Sequence, residues 1–145
     1  MQGTTMSRVN LPPITITAVD YDRLSWIATA GVSSQRYTVA EMLADELDRA
    51  MVAAPGSIRP DIVTMHSEVE YRDGVTGEVR RVTLVYPGEE DLDAGRISVL
   101  THIGAALIGL SEGQSIEWEG PTGRRRELTV RRVRFQPERM AGLEV

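Results

Sequence analysis

The side chains of this chain that could do chemistry are two histidines and one run of acids. His66 and His102 lie in separate predicted elements, and no spacing joins either of them to carboxylates as a metal-ligand set. Ser67 follows His66 directly, and neighbours on a strand point to opposite faces, so these two cannot act as nucleophile and base. The acidic run at residues 89–93 lacks the ligand spacing of a calcium-binding loop. We therefore predict no catalytic residue, no bound metal and no cofactor.

The chain also lacks the motifs that other chemistries need. The sequence contains no glycine-rich phosphate loop, no HExxH, no GxSxG and no Rossmann fingerprint. It contains no cysteine, which excludes disulfides, thiolate metal sites and cysteine nucleophiles. These observations favour a binding protein over an enzyme.

The net charge of the chain argues against a protein that binds nucleic acid through many phosphate contacts. The 145 residues carry a net charge of -5, and all 16 basic residues are arginine. The run at residues 124–126 is typical of a solvated hairpin, although it could also form a minor patch for nucleic acid or for an acidic protein surface. Residues 97–111 lack Asp, Glu and Arg but are too few to span a membrane. We expect a cytoplasmic protein whose direct nucleic-acid contact is minor.

Helical periodicity and capping residues predict two helices near the N-terminus. Thr17 can cap a first helix that ends at Gly31, and residues 38–41 have the form of a capping box for a second helix that ends near residue 54. The predicted apolar faces are Tyr21, Leu24, Ile27 and Ala28 on the first helix, and Val39, Leu43, Leu47, Ala50 and Met51 on the second. The acids Glu41, Asp45, Glu46 and Asp48 are predicted to lie away from that second face. Because a short polar loop joins them, the helices should form an antiparallel helical hairpin, a short coiled coil.

After Pro60 the hydrophobic period changes from helical to alternating, which indicates β-strands. Strands are predicted near residues 61–65, 69–72, 82–86, 97–100, 116–119 and 128–135, and a short buried helix near residues 103–110. Val133 and Phe135 are out of phase with Leu128 and Val130 by one residue. We therefore predict a β-bulge near residues 131–132, since one inserted residue returns both pairs to the core. The expected fold class is α+β, with an antiparallel sheet behind the helical hairpin.

Several segments of the chain resemble the Rnk branch of the Gre transcription-factor superfamily. Residues 61–67 (DIVTMHS) resemble a DVVTMNS segment of that branch. Further similar segments are residues 46–50, 83–87, 97–100, 104–110, 116–118 and 136–138. The resemblance covers about residues 14–138, and the motifs are specific in combination.

The resemblance implies an FKBP-like antiparallel β-sheet domain with one short helix, carried behind the helical hairpin. The expected organisation is a lead-in at residues 1–13, the hairpin at 14–56 and the FKBP-like domain at 60–138. It also implies binding to bacterial RNA polymerase at the rim of its secondary channel, with the C-terminal domain docked and the hairpin pointing inward. The name of the Rnk branch, regulator of nucleoside diphosphate kinase, suggests an effect on that enzyme, which we interpret as indirect.

The hairpin tip distinguishes this chain from the cleavage factors of the superfamily, whose tip acids help to hold a catalytic magnesium ion. The tip here consists of Ser33, Ser34, Gln35 and Arg36. A hard cation needs oxygen ligands, usually carboxylates, and this tip has none. The resemblance therefore implies a regulator that competes with Gre-type factors without stimulating transcript cleavage.

The resemblance also gives candidate contacts with polymerase. They are Asp91, Leu100, Thr101, His102 and Ile103. Related sequences often carry proline where His102 stands, and Leu100 and Ile103 could instead pack against the core. Two other functions stay open, a prolyl isomerase and a plain dimerisation or interaction module, although a monomer is favoured.

Overall fold

A helical N-terminal part and a curled β-sheet form the α+β fold that the sequence predicts. The computed structural model describes residues 11–31, 37–54, 56–119 and 123–136, and the predicted tip residues Ser33, Ser34, Gln35 and Arg36 lie outside them. In chain order the elements are β1 (Thr15–Thr17), α1 (Ala18–Gly31), α2 (Tyr37–Arg49), β2 (Met51–Ala53), β3 (Glu68–Asp73), β4 (Val79–Val85), a short 3-10 helix (Leu92–Ala94), β5 (Arg96–Ser98), α3 (His102–Leu107), β6 (Ser115–Glu119) and β7 (Arg125–Phe135). Among these residues no helix is both long and apolar enough to cross a membrane.

Five of the described strands form one sheet in the order β5-β4-β3-β7-β6. The pairs β3-β4, β3-β7 and β6-β7 are antiparallel, as predicted, but β4 and β5 are parallel. The prediction of a wholly antiparallel sheet was therefore wrong at this edge. The physical reason is the crossover at residues 86–95, which includes the 3-10 helix and carries the chain back before β5 begins.

A second pairing, between β1 and β2, was not predicted. The two strands are parallel, with Ile16 opposite Val52, and they lie immediately before α1 and after α2. The second helix therefore ends at Arg49, and the prediction that it continued to residue 54 was wrong. Met51, which was assigned to the apolar face of that helix, lies in β2 with 68% of its surface exposed. Backbone pairing with β1 outweighs the helical periodicity of residues 50–51.

The first helix begins as predicted. The backbone amide of Asp20 donates to Oγ1 of Thr17 at 3.2 Å, so Thr17 caps α1 and satisfies one of its free N–H groups. Leu24 and Ala28 are buried in the core together with Leu43 and Leu47 of α2. We refer to α1 and α2 together as the helical arm.

The predicted β-bulge is present in β7. Glu70 pairs with Arg132, but the next residue, Tyr71, pairs with Val130, which leaves Arg131 as the inserted residue. A second shift leaves one more residue unpaired between the partners of Glu68 and Val69. Val133 is buried as predicted, whereas the side chain of Phe135 lies outside what is described.

Residues 61–65 do not form the predicted strand. Ile62 makes an isolated bridge with Ser111, and Val63 exchanges backbone hydrogen bonds with Leu110 and Gly109 at 2.8 and 2.9 Å. The apolar residues of this segment are buried without joining the sheet, because their backbone groups pair with the segment that follows α3.

One continuous cluster of buried side chains joins the helical arm, α3 and the inner face of the sheet. Glu46 of α2 is fully buried at this junction, so the prediction that it lies with the exposed acids of the helix was wrong. Its carboxylate forms an ion pair with Arg49 at 2.7 Å, and Arg49 in turn donates to the Pro12 carbonyl oxygen. Burial of this charge is tolerated because a cationic partner lies one turn away.

Candidate functional site

The start of α3 is held rigidly by hydrogen bonds of Thr101. Its hydroxyl donates to the Ser98 carbonyl oxygen at 2.7 Å and accepts from the Gly104 amide at 3.0 Å, so Thr101 is the N-cap of α3. A Cβ on Gly104 would collide with the Ser98 carbonyl oxygen and would lie 2.8 Å from Cα of Val99. Only glycine allows the helix to approach β5 so closely. The consequence is a fixed position for His102 and Ile103 in the first turn.

The candidate contact residues at this helix start differ in exposure. Leu100 is 8% exposed and belongs to the core, so its side chain has a packing role in the free protein. Ile103 is half-buried against the same core. His102 is also half-buried. Burial is the main cause that lowers the pKa of His102, and the positive charge of Arg126 adds to it. The side chain of His102 is therefore neutral near pH 7.

Asp91 positions the acidic loop, residues 89–93. Its Oδ1 accepts from the Ala94 amide at 3.3 Å, and its backbone exchanges hydrogen bonds with Arg96 at 3.1 and 2.9 Å. Asp91 therefore caps the short 3-10 helix and ties the loop to β5. Leu92 follows Asp91 and is 79% exposed, an unusual position for a leucine surrounded by acids.

A groove of about 590 Å³ separates the acidic loop from α3. Its lining combines Tyr71 and Val82 of the sheet with Leu92 of the acidic loop and Ile103 of α3. The full lining consists of Tyr71, Arg80, Val82, Glu90, Leu92, Ile97, Ser98, Thr101 and Ile103. The groove therefore has a largely apolar surface to which Glu90 and Arg80 add opposite charges.

The groove brings together some of the predicted site residues and adds others. Thr101 and Ile103 line it and Asp91 adjoins it, whereas Leu100 and His102 are not part of its lining. Sequence reasoning named Asp91 of this loop as a candidate contact but missed its neighbour Leu92, because only the charge of the loop was considered. The available signal was the single large apolar residue within an otherwise acidic run.

No metal-binding arrangement occurs in the part of the chain that the structure describes. Within those ranges no three or more His, Asp or Glu side chains lie close enough together to hold an ion. What the groove offers is an apolar surface with charged margins, an arrangement that suits contact with another molecule.

Comparison with known proteins identifies the class to which this fold and surface belong. The family model "Transcription elongation factor, GreA/GreB, C-term" matches residues 58–135, and the model "Rnk N-terminus" matches residues 12–52. The chain therefore belongs to the GreA/GreB family of transcription elongation factors and carries the N-terminal part typical of Rnk.

Individual relatives agree with this assignment. The chain is 40% identical over 131 residues to the "Regulator of nucleoside diphosphate kinase" of Escherichia coli K12, covering 88% of this chain and 93% of that protein. It is 37% identical over 83 residues to "Transcription elongation factor GreA" of Prosthecochloris aestuarii, covering 56% of this chain and 52% of the relative. A solved structure, "Prokaryotic transcription elongation factor GreA/GreB from Nitrosomonas europaea", has a TM-score of 0.66 at 35% identity and covers 86% of this chain and 100% of that one. The resemblance to Rnk inferred from the sequence is confirmed.

Proposed function

We propose that this protein binds bacterial RNA polymerase at the rim of the secondary channel and competes there with Gre-type factors, without stimulating transcript cleavage. The family assignment supports a role in transcription elongation, since the relatives named above are regulators and elongation factors. In this proposal residues 60–138 are an FKBP-like docking domain, and residues 14–56 are an antiparallel hairpin directed into the channel.

The observation that carries the docking proposal is the apolar groove between the acidic loop and α3. Leu92 leaves most of its surface in water, and the half-buried Ile103 of α3 lines the same groove. Exposed apolar surface of this kind, rimmed by charge, is typical of protein interaction sites. We call Asp91, Leu92, Thr101, His102 and Ile103 the docking surface.

The acids beside the groove indicate the charge of the partner surface. Residues 89–93 contain four acids, so a segment with an apolar side chain flanked by basic residues would complement both the groove and its margin. Electrostatic attraction of this kind mainly accelerates encounter, while the buried apolar contact determines how long the complex lasts.

Competition without cleavage follows from the composition of the arm. The tip residues 33–36 contain no carboxylate in the sequence, and carboxylates are the usual protein ligands of magnesium. Occupancy of the rim would then exclude other factors sterically. Any effect on nucleoside diphosphate kinase would arise through transcription.

The test is a competition assay with purified components. We expect the protein to co-elute with core RNA polymerase and to reduce the transcript cleavage that added GreA stimulates, in proportion to its concentration. The protein alone should leave cleavage at its background rate. Failure to bind polymerase at micromolar concentration would exclude the docking proposal, and stimulated cleavage by the protein alone would exclude the competitor mechanism.

The same preparations test the two alternative functions. A prolyl isomerase would accelerate isomerisation of a standard prolyl peptide. The groove contributes the aromatic ring of Tyr71 to its floor but otherwise aliphatic and polar side chains, so we expect the uncatalysed rate. A dimerisation module would show a molecular mass that rises with concentration in sedimentation.

A further inference from the structure

A cluster of polar contacts around Tyr86 connects the helical arm to segments that flank the sheet. Asp20, in the first turn of α1, accepts a hydrogen bond from the Tyr86 hydroxyl to Oδ1 at 3.1 Å. Its Oδ2 accepts from the backbone amide of Met65 at 3.3 Å. Met65 precedes β3 and Tyr86 follows β4, so one carboxylate of the arm holds two separate segments next to the sheet.

A second contact comes from the next turn of α1. The guanidinium of Arg23 lies over the ring of Tyr86, 4.0 Å from its centroid, in the geometry of a cation–π interaction. Tyr86 is buried, and burial first, then the negative charge of Asp20, raises its pKa. The hydroxyl therefore remains a hydrogen-bond donor to Asp20 throughout the physiological range.

The cluster continues from Tyr86 to the first residue of the acidic loop. Oε1 of Glu89 accepts from the Tyr86 amide at 3.1 Å and lies 2.9 Å from Nε2 of His66. The hydrogen bond from His66, followed by that from the Tyr86 amide, lowers the pKa of Glu89. His66 also contacts the edge of the Tyr86 ring, and its backbone is left-handed, with φ of 67°. Glu89 is thus held in place on the side of the loop that leads to Asp91.

We propose that Asp20, Arg23, His66, Tyr86 and Glu89 form a joint that sets the direction of the helical arm relative to the docking surface. The hydrophobic driving force that packs the arm on the core is non-directional and does not by itself select one rotation of the arm. Hydrogen bonds to a carboxylate and the stacking of a guanidinium are directional, so the joint selects one orientation. The consequence for competition rests on the proposed function, because the arm direction matters only if the docked protein must enter a channel.

The joint can be tested on the free protein, because the natural chain has no cysteine and accepts two spin labels cleanly. Labels at Thr29→Cys on α1 and Val79→Cys on β4 occupy exposed positions on the two sides of the joint. We expect Tyr86→Phe to shift or broaden the distance distribution between the labels. Tyr21→Phe is the matched control, because it also removes a tyrosine hydroxyl, from a half-buried residue of α1 that lines a cleft with Ala44 and Leu47 of α2 rather than the joint. Asp20→Ala provides a second variant that removes both hydrogen bonds at once.

The outcomes separate the joint from the docking proposal. Identical distance distributions in the wild type, in Tyr86→Phe and in Asp20→Ala would overturn the joint, whether or not the protein binds polymerase. If the distributions change, we expect the Kd for polymerase and the concentration needed to suppress GreA-stimulated cleavage to rise together, by up to roughly tenfold, because only the fraction of molecules whose arm points in the entering direction can bind. Equal potency despite altered distances would show that arm direction does not matter and would overturn the functional part of the inference. Failure of the wild type to bind polymerase would instead exclude the docking proposal.

Discussion

Replacing Leu92 by alanine should weaken binding to polymerase without weakening the fold. The side chain is 79% exposed in the free protein, so its truncation removes little packing. Surface substitutions of this kind change the free energy of unfolding by less than about 0.5 kcal/mol. We therefore expect the thermal midpoint of Leu92→Ala to match that of the wild type closely.

The effect on binding follows from the area that docking would remove from water. Full burial of a leucine side chain contributes roughly 1.5–3 kcal/mol, of which alanine retains the part due to one methyl group. The expected loss is about 1–2 kcal/mol, or roughly a 5- to 30-fold increase in Kd, since 1.4 kcal/mol corresponds to a factor of ten. The rate of dissociation should account for most of this change.

The assay is fluorescence anisotropy of labelled protein titrated with core RNA polymerase. Val75→Ala is the matched control, because Val75 is 65% exposed, lies in the turn between β3 and β4 and is not part of the groove lining. The control should bind as the wild type does. Equal Kd values for Leu92→Ala and Val75→Ala would refute the assignment of the groove as the docking site, even if the protein binds polymerase tightly.

Three further substitutions test the scaffold around the site. Gly104→Ala should lower the free energy of unfolding by about 2 kcal/mol, because the added Cβ overlaps backbone beneath α3, and chemical denaturation measures the loss. Glu46→Ala should lower it by about 2 kcal/mol, because it removes a fully buried side chain and its ion pair with the partly exposed Arg49, which still donates to the Pro12 carbonyl oxygen; an unchanged denaturation midpoint would contradict this reasoning. His66→Phe removes the donor while keeping an aromatic ring, and should raise the pKa of Glu89 towards its ordinary value, as followed by NMR titration of the carboxyl carbon. A lowered carboxyl pKa contributes stability that is fully present above the unfolded-state pKa and is lost as the pH falls through the folded-state pKa. Because the variant lacks this contribution, its stability should fall less in acid than that of the wild type.

Local signals in the sequence predicted those elements whose cause is local. A cap at Thr17 and a 3.6-residue period specify α1, and the phase change between Val130 and Val133 specifies a bulge. Each of these features depends on residues only a few positions apart, so the sequence alone contains the information needed. The family segments also identified the superfamily correctly.

Features that depend on distant residues were not predictable in the same way. The end of α2 at Arg49 depends on the pairing of residues 51–53 with β1. The paired residues are distant in the sequence, since Thr15 lies 36 residues before its partner Met51. Helical periodicity continues through this point, but tertiary pairing decides the outcome. Glu46 was assigned to solvent from its residue type, whereas its burial depends on the ion pair with Arg49 and on the packing of the arm against the core.

The groove shows the same limit for the functional site. Its lining comes from β3, β4, the acidic loop, β5 and α3, and no short sequence motif records that these segments meet. The joint likewise depends on Asp20 and Tyr86, which are 66 residues apart. Sequence patterns could identify residues near the site, but the surface itself exists only after the sheet has formed.

The two interpretations of the candidate contact residues, docking and packing, are compatible. Thr101 lines the groove and caps α3, Asp91 caps the 3-10 helix that begins at Leu92, and Leu100 fills the core, so all three hold the groove and its margin in place. A rigid, preformed wall lowers the cost of ordering on binding and therefore supports affinity indirectly. Substitution of these residues would weaken binding through either role and would not distinguish them. Leu92 has little structural role in the free protein, which is why its substitution, rather than that of Thr101 or Leu100, decides whether the groove is a docking site.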